Sequence, residues 1–100
     1  NHLVALLGQA ERVAGGAGVP TEAIMSLAEG ELAGEARVGT AEALTGPVAR
    51  GDWPTVAAHL AALAPDERPA YEALARQALR LAWPTIRAAT DEGSAPPWRS

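Results

Sequence analysis

The sequence contains no cysteine, no lysine and no phenylalanine, and it has a single tyrosine. Without cysteine there can be no disulfide framework, no thiolate nucleophile and no thiolate metal ligand. Without lysine, a Schiff-base mechanism and a phosphate loop that depends on lysine are both excluded. The basic residues are therefore all arginines, which we interpret as a bias of base composition rather than as a sign of function.

Positive charge and long apolar runs are also scarce. The formal net charge is -4 and the pI is about 5.0, which argues against nucleic acid and against an anionic membrane surface as partners. No apolar run approaches the roughly 20 residues of a membrane-spanning helix. We therefore expect a protein that binds neither nucleic acid nor membrane. The absence of cysteine is compatible with the cytoplasmic location that we expect.

The chain is rich in alanine, and its apolar residues repeat at helical spacing. One hundred residues suffice for one domain with a modest core, and alanine is the strongest helix former. No strand pattern is visible. The sequence thus predicts an all-α fold, a small bundle of four to five helices over residues 1–82, followed by a loosely ordered tail over 83–100.

The first two helices are expected at about 1–17 and 21–38, separated by a glycine-rich turn. Thr21 is the expected N-cap of the second helix. Gly30 and Gly34 either make this helix less stable than the first or allow close helix contact, and close contact is the favoured interpretation. The chain opens on Asn1, within a helical pattern and without a cap ahead of it, so we expect a further N-terminal part. The residues expected to face inward are Leu3, Leu6, Leu7, Ala10, Val13, Ala14, Ala17, Ile24, Leu27, Ala28 and Leu32.

After a short helical turn at 41–44, two more helices are expected, from Trp53 to about Leu63 and from Glu67 to Ala82. Asp52 is the expected N-cap of the first of these, and Pro84 is expected to interrupt the second. The inward residues are expected to be Trp53, Val56, Leu60, Leu63, Tyr71, Leu74, Ala75, Ala78 and Leu81.

The stretch Thr45–Asp52 is the best candidate for function, because it is not simply amphipathic. Thr45 offers a hydroxyl, Gly46 permits close backbone approach, Pro47 fixes the chain direction, and Arg50 offers a fork for a phosphate or carboxylate. The alternative is a shaped helix-to-helix loop in which Asp52 caps a helix and Arg50 pairs with Asp52 or a nearby glutamate. The residue types alone favour a ligand-binding segment and a structural loop equally.

Other polar features are weaker. The cluster Gly15–Gly18 follows a helix rather than a strand and lacks the G-x-G-x-x-G spacing, so it is interpreted as a helix terminator. His59 is interpreted as a surface histidine. His2 lies beside Asn1 at the start of the first helix, and this polar pair could face a ligand at a domain junction. A solvated helix end is the slightly favoured interpretation. No histidine lies in a metal-binding spacing, and no catalytic residue can be assigned.

Two segments carry a resemblance to a known family. NHLVALL at Asn1–Leu7 and ALTGPVARGD at Ala43–Asp52 resemble a bacterial domain-of-unknown-function family that forms the helical C-terminal half of Rossmann-like, proposed NAD(P)-dependent oxidoreductases. That half is similar in architecture to the C-terminal domains of pyrroline-5-carboxylate reductase and 6-phosphogluconate dehydrogenase. The resemblance extends over about 1–82, and the second helix departs from it at Glu29–Gly34.

The resemblance implies a division of labour. A Rossmann domain outside this chain would bind NAD(P), whereas this chain would bind no cofactor, close the substrate cleft and supply most of a homodimer interface. The candidate cleft residues are Asn1, His2, Thr45, Gly46, Pro47 and Arg50. The alternative is a helical protein–protein interaction module without an enzymatic role. A free-standing enzyme is the least favoured interpretation, because cysteine, lysine and any metal motif are absent.

Overall fold

The computed structural model describes residues 1–89 and 95–98, and within them the chain forms six α-helices and one 3₁₀ turn but no strand. The α-helices are α1 (His2–Gly16), α2 (Thr21–Val38), α3 (Thr40–Ala43), α4 (Pro47–Arg50), α5 (Trp53–Ala62) and α6 (Arg68–Ala89), and the 3₁₀ turn is Pro65–Glu67. The predicted all-α class is confirmed. None of these helices is both long enough and apolar enough to cross a bilayer.

The chain divides into two compact units, residues 1–39 and residues 40–100. The division follows α2. The predicted helical domain over 1–82 stays a prediction. Each unit is described by itself below.

The first unit is a helical hairpin in which α1 packs against α2. The contact is built from half-buried side chains, and no residue of either helix is buried. The half-buried apolar residues are Leu7, Ala10, Ala14, Ile24, Met25 and Ala28. The bounds of α2 are those predicted, because its pattern is terminated by a proline before Thr21 and a glycine after Val38.

The prediction of which residues face inward is wrong for much of this hairpin. Leu27 is 64% exposed, and Leu3, Leu6, Val13 and Leu32 are exposed as well. A helical stripe specifies which side is apolar but not how much of it a single neighbouring helix covers. Two helices alone leave the edges of both stripes in contact with solvent.

Three local predictions in the first unit also fail. Asn1 is an N-cap, since its Oδ1 accepts a hydrogen bond from the His2 backbone N–H at 2.6 Å, so α1 does not lack a cap. Thr21 is the first residue of α2 and makes no capping hydrogen bond. The positions that a Cβ would occupy at Gly30 and Gly34 have no neighbouring atom within 4 Å, so these glycines make no close helix contact among the described residues.

The core of the second unit lies where α4, α5 and α6 meet. Its buried members are Val48, Trp53, Val56 and Ala75, and Val56 is wholly inaccessible to solvent. The predicted stripe of α5 is confirmed at all four positions, since Leu60 and Leu63 are half-buried. On α6, Leu74 and Leu81 were predicted to face inward and are instead exposed.

Helix α6 continues for five residues past Pro84, so the predicted end at Ala82 is wrong. Proline has no N–H to donate to the Arg80 carbonyl, and this loss normally destabilises a helix interior. Ile86, two residues beyond it, is nevertheless buried, with only 4% of its surface exposed. Packing of that side chain offsets the missing hydrogen bond, which a local rule about proline does not take into account.

Part of the segment predicted to be a loose tail packs against the core of the second unit. Pro96 is buried, and the ring of Trp98 meets that of Trp53 edge-on, with centroids 5.8 Å apart and an interplanar angle of 77°. The rest of the predicted loose tail beyond α6, at 90–94 and 99–100, lies outside the described residues.

Candidate functional site

The candidate stretch Thr45–Asp52 is built around the one-turn helix α4. Gly46 precedes it with φ 91° and ψ -177°, and Gly51 ends it with φ 67° in the left-handed region. Both conformations favour glycine, which explains the two glycines that bracket the turn. The sequence predicted a shaped loop here, and the structure shows that its middle is helical.

This segment is held firmly. Val48 is part of the core, the Gly51 N–H bonds to the Pro47 and Val48 carbonyls, and the Asp52 N–H donates to the Pro47 carbonyl at 2.8 Å. A Cβ built on Gly51 would lie 3.7 Å from the Cγ2 atom of Ile86, so the turn also lies close against α6. The backbone on either side of α4 is therefore set by packing.

Asp52 caps α5, as predicted. Its Oδ1 accepts from the Thr55 N–H at 3.3 Å and its Oδ2 accepts from the Thr55 hydroxyl at 2.7 Å. These two hydrogen bonds are the main reason that the pKa of Asp52 lies below its ordinary value, and the nearby Arg50 guanidinium lowers it further. Both oxygens of the carboxylate are therefore engaged in capping the N-terminus of α5.

Arg50 lies beside this cap. Its Nη2 is 3.7 Å from Asp52 Oδ2, and 62% of its side chain is exposed. This is the geometry of the structural alternative, in which Asp52 caps and Arg50 pairs with it. An exposed pair at this distance contributes little stability. Most of the guanidinium therefore remains open to solvent and free to meet another anion.

The other predicted cleft residues are accessible. Thr45 is exposed, Pro47 is half-buried at the first position of α4, and a Cβ on Gly46 would meet no atom within 4 Å. Asn1 and His2 are exposed at the start of α1, in the first unit. The structure brings Thr45, Gly46, Pro47 and Arg50 together in the second unit and places the pair Asn1 and His2 in the first.

Removing the Thr55 hydroxyl should weaken the fold of the second unit and change its response to acid. Because the folded-state pKa of Asp52 is depressed, the carboxylate stabilises the fold above its ordinary pKa of 3.8, and this contribution is lost as the pH falls through the lowered value. We expect Thr55→Val to lower the melting temperature at neutral pH and to flatten the loss of stability in acid. Thermal melts followed by far-ultraviolet circular dichroism across that range measure both effects.

The matched control for this prediction is Thr55→Ser, which keeps the hydroxyl that donates to Asp52. It should retain the parent's dependence on pH. Identical acid profiles for the valine and serine variants would show that the side-chain hydrogen bond does not set the pKa of Asp52.

The glycine cluster at Gly15–Gly18 does not form the strand-to-helix turn of a dinucleotide-binding motif. Gly15 and Gly16 end α1, and Gly18 lies in the turn that follows, so the cluster terminates a helix rather than linking a strand to a helix. Gly18 has a φ of 80°, in the left-handed region that favours glycine, so the turn itself explains this residue. The described residues also hold no cluster of three potential metal ligands.

His59 makes a contact that the sequence did not predict. It is exposed, as expected, but its Nδ1 lies 2.9 Å from the Tyr71 hydroxyl, and the two rings meet edge-on. Burial raises the pKa of Tyr71 above its ordinary value. The hydrogen bond therefore involves a neutral phenol and links α5 to α6, which is a structural role.

A second surface feature was missed altogether. An open groove with a volume of about 460 Å³ follows one side of α6. It is lined by Arg76, Leu79, Arg80, Trp83, Pro96 and Trp98. The spacing of its α6 members, at intervals of three and four residues, was readable in the sequence. It was overlooked because the helix was expected to end before Trp83 and the tail to be loose.

The family described as Domain of unknown function (DUF2520) matches residues 1–78, and the chain belongs to that family. The match includes the hairpin of the first unit and, in the second unit, the candidate segment at Thr45–Asp52, α5 and the first half of α6. No curated protein and no solved structure matches the chain.

Proposed function

We propose that this chain is the dimer-forming and cleft-closing helical domain of an NAD(P)-dependent oxidoreductase, whose nucleotide is bound by a Rossmann-type domain outside it. The observation that carries the dimer is the exposed apolar face of α1. We define this α1 face by Leu3, Leu6 and Val13, whose spacing of three and seven residues puts them on one side of the helix. All three are exposed.

A second copy of the same chain is the occupant we propose for this face. Besides His2, α1 carries only two ionisable side chains, Glu11 and Arg12, so two copies can meet along it without bringing like charges together. Interface cores are depleted in charge in the same way. The 15 residues of α1 span about 22 Å, so the two copies can pair along several turns of helix.

Introducing a charge at the centre of the α1 face should break the dimer. We expect Leu6→Glu to raise the dimer dissociation constant at least tenfold, or about 1.4 kcal/mol, because the carboxylate would lose its hydration in the interface. Sedimentation velocity over a wide concentration range measures this. Far-ultraviolet circular dichroism should show unchanged helix content, since Leu6 is already exposed.

The control variant is Glu11→Gln, which changes a polar side chain on the opposite side of α1. It should leave the dimer intact. A parent chain that stays monomeric at high micromolar concentration would contradict the dimer-forming role.

The oxidoreductase part of the proposal is supported by the resemblance of the Asn1–Leu7 and Ala43–Asp52 segments described above. The exposed Thr45 hydroxyl, the open side of Gly46 and the accessible guanidinium of Arg50 are compatible with a surface that faces a substrate. Asn1, His2 and Pro47 complete the set of proposed cleft residues.

Titration of NADPH and NADH into the whole gene product, followed by calorimetry, tests this part. We expect binding of one nucleotide in the micromolar range, and none to residues 1–100 alone. A folded whole protein that binds neither nucleotide would contradict the oxidoreductase role. It would favour a helical protein–protein interaction module, and protein partners would then be sought.

A further inference from the structure

The groove on α6 is separate from the Thr45–Asp52 segment and is used by nothing described so far. Four of its residues, Arg76, Leu79, Arg80 and Trp83, follow one another at i, i+3, i+4 and i+7 and so share one side of the helix. Pro96 and Trp98 form the other wall. The groove therefore combines two guanidinium groups with two indole rings.

The charge in this groove is not balanced. Arg76 Nη2 bonds to Glu72 Oε1 at 2.7 Å, so one positive charge is neutralised within α6. Arg80, one turn further along, has no hydrogen bond or ion pair with any residue in 1–89 or 95–98. Arg80 therefore presents a guanidinium that can pair with an anion from outside the chain.

The apolar wall is partly preformed. Trp98 is held edge-on against Trp53, which is 94% buried in the core. Trp83, by contrast, leaves 45% of its surface exposed beside Arg80. Large aromatic side chains that are exposed next to a cation are characteristic of sites that bind a ligand with an apolar body and a charged group.

We propose that this groove binds a small organic monocarboxylate with an aromatic or branched apolar body. The carboxylate accepts paired hydrogen bonds from the Arg80 guanidinium, a geometry that matches the planar fork of arginine. The apolar body lies between Trp83 and Trp98. A volume of about 460 Å³ falls within the usual range for small-molecule sites.

A single carboxylate fits the charge better than a phosphate does. Glu72 already neutralises Arg76, so among the described lining residues Arg80 carries the one unbalanced positive charge, which a monoanion satisfies. A dianion would bring a second negative charge close to Glu72. The proposal is independent of the proposed oxidoreductase role, because it uses no residue of the α1 face or of the Thr45–Asp52 segment.

Nuclear magnetic resonance of the ¹⁵N-labelled chain tests this directly, because its three tryptophans give three indole N–H signals. Phenylacetate is the probe, and phenylacetamide, which has the same shape without the charge, is the matched control ligand. We expect phenylacetate to shift the signals of Trp83 and Trp98 saturably at millimolar concentration, with about tenfold weaker binding of the amide.

Variants then separate the contributions of charge and ring. Arg80→Gln should weaken phenylacetate binding about tenfold, and Trp83→Ala should abolish saturable binding, both with unchanged helix content. Arg37→Gln, which removes an arginine from the other unit, should bind as the parent does. Equal binding of the amide, or unchanged binding by the Arg80→Gln variant, would overturn the proposal.

Discussion

Replacing Trp53 by alanine should cost the second unit about 3–5 kcal/mol of folding free energy, the largest effect that we expect from any single truncation in this chain. Trp53 is 6% exposed, belongs to the core formed by α4, α5 and α6, and makes an edge-on ring contact with Trp98. A single small domain has only about 5–15 kcal/mol of stability in total. The variant should therefore unfold at a much lower urea concentration, which far-ultraviolet circular dichroism measures.

Two comparisons isolate the cause of this loss. The indole Nε1 of Trp53 is buried without an acceptor among the described residues, so Trp53→Phe, which removes the N–H and keeps an aromatic ring, should cost much less than the alanine variant. Trp83→Ala removes an indole that is half-exposed and should cost little. Equal losses of folding free energy for the alanine variants of Trp53 and Trp83 would contradict the assignment of Trp53, and not Trp83, to the core.

Replacing Gly46 by alanine should destabilise the second unit by about 1–3 kcal/mol. Its backbone, at φ 91° and ψ -177°, lies in a region that is essentially restricted to glycine, and Pro47 limits the conformations to which it could relax. No atom lies within 4 Å of the added Cβ, so the cost comes from the backbone alone and not from a clash. Urea unfolding should show a lower midpoint with an unchanged slope.

Gly30→Ala is the contrasting substitution. Gly30 lies inside α2 with helical backbone and open space around the added methyl group, so alanine should stabilise the hairpin by about 1 kcal/mol. The two glycine variants therefore have opposite expected signs. A Gly46→Ala protein as stable as the parent would mean that the turn before α4 is not constrained as its dihedral angles indicate.

Some helix termini were predicted correctly from the sequence and others were not. The bounds of α2 and the Asp52 cap were correct because proline, glycine and a capping carboxylate act over three or four residues, within reach of a local pattern. The end of α6 was wrong because the burial of Ile86 depends on a turn some 35 residues earlier in the chain. No pattern around Pro84 carries that information.

The two candidate sites also differ in how far local sequence could predict them. Thr45–Asp52 was found because its residue types are unusual, and the cap that holds it is local. The groove on α6 depends on Trp98, which packs against Trp53 from 45 positions further along the chain, within a segment rich in proline, glycine and serine. Composition there favours disorder, and only the tertiary contact brings the ring to the arginines.

The uneven distribution of aromatic residues gives this chain a built-in set of spectroscopic reporters. Trp53, Tyr71, Trp83 and Trp98 all belong to the second unit, and the hairpin of α1 and α2 contains no aromatic side chain apart from His2. Intrinsic fluorescence and near-ultraviolet circular dichroism therefore follow the second unit alone, whereas far-ultraviolet circular dichroism follows both. Melting curves from the two kinds of signal superimpose if the units unfold as one cooperative body, and they separate if the hairpin melts on its own.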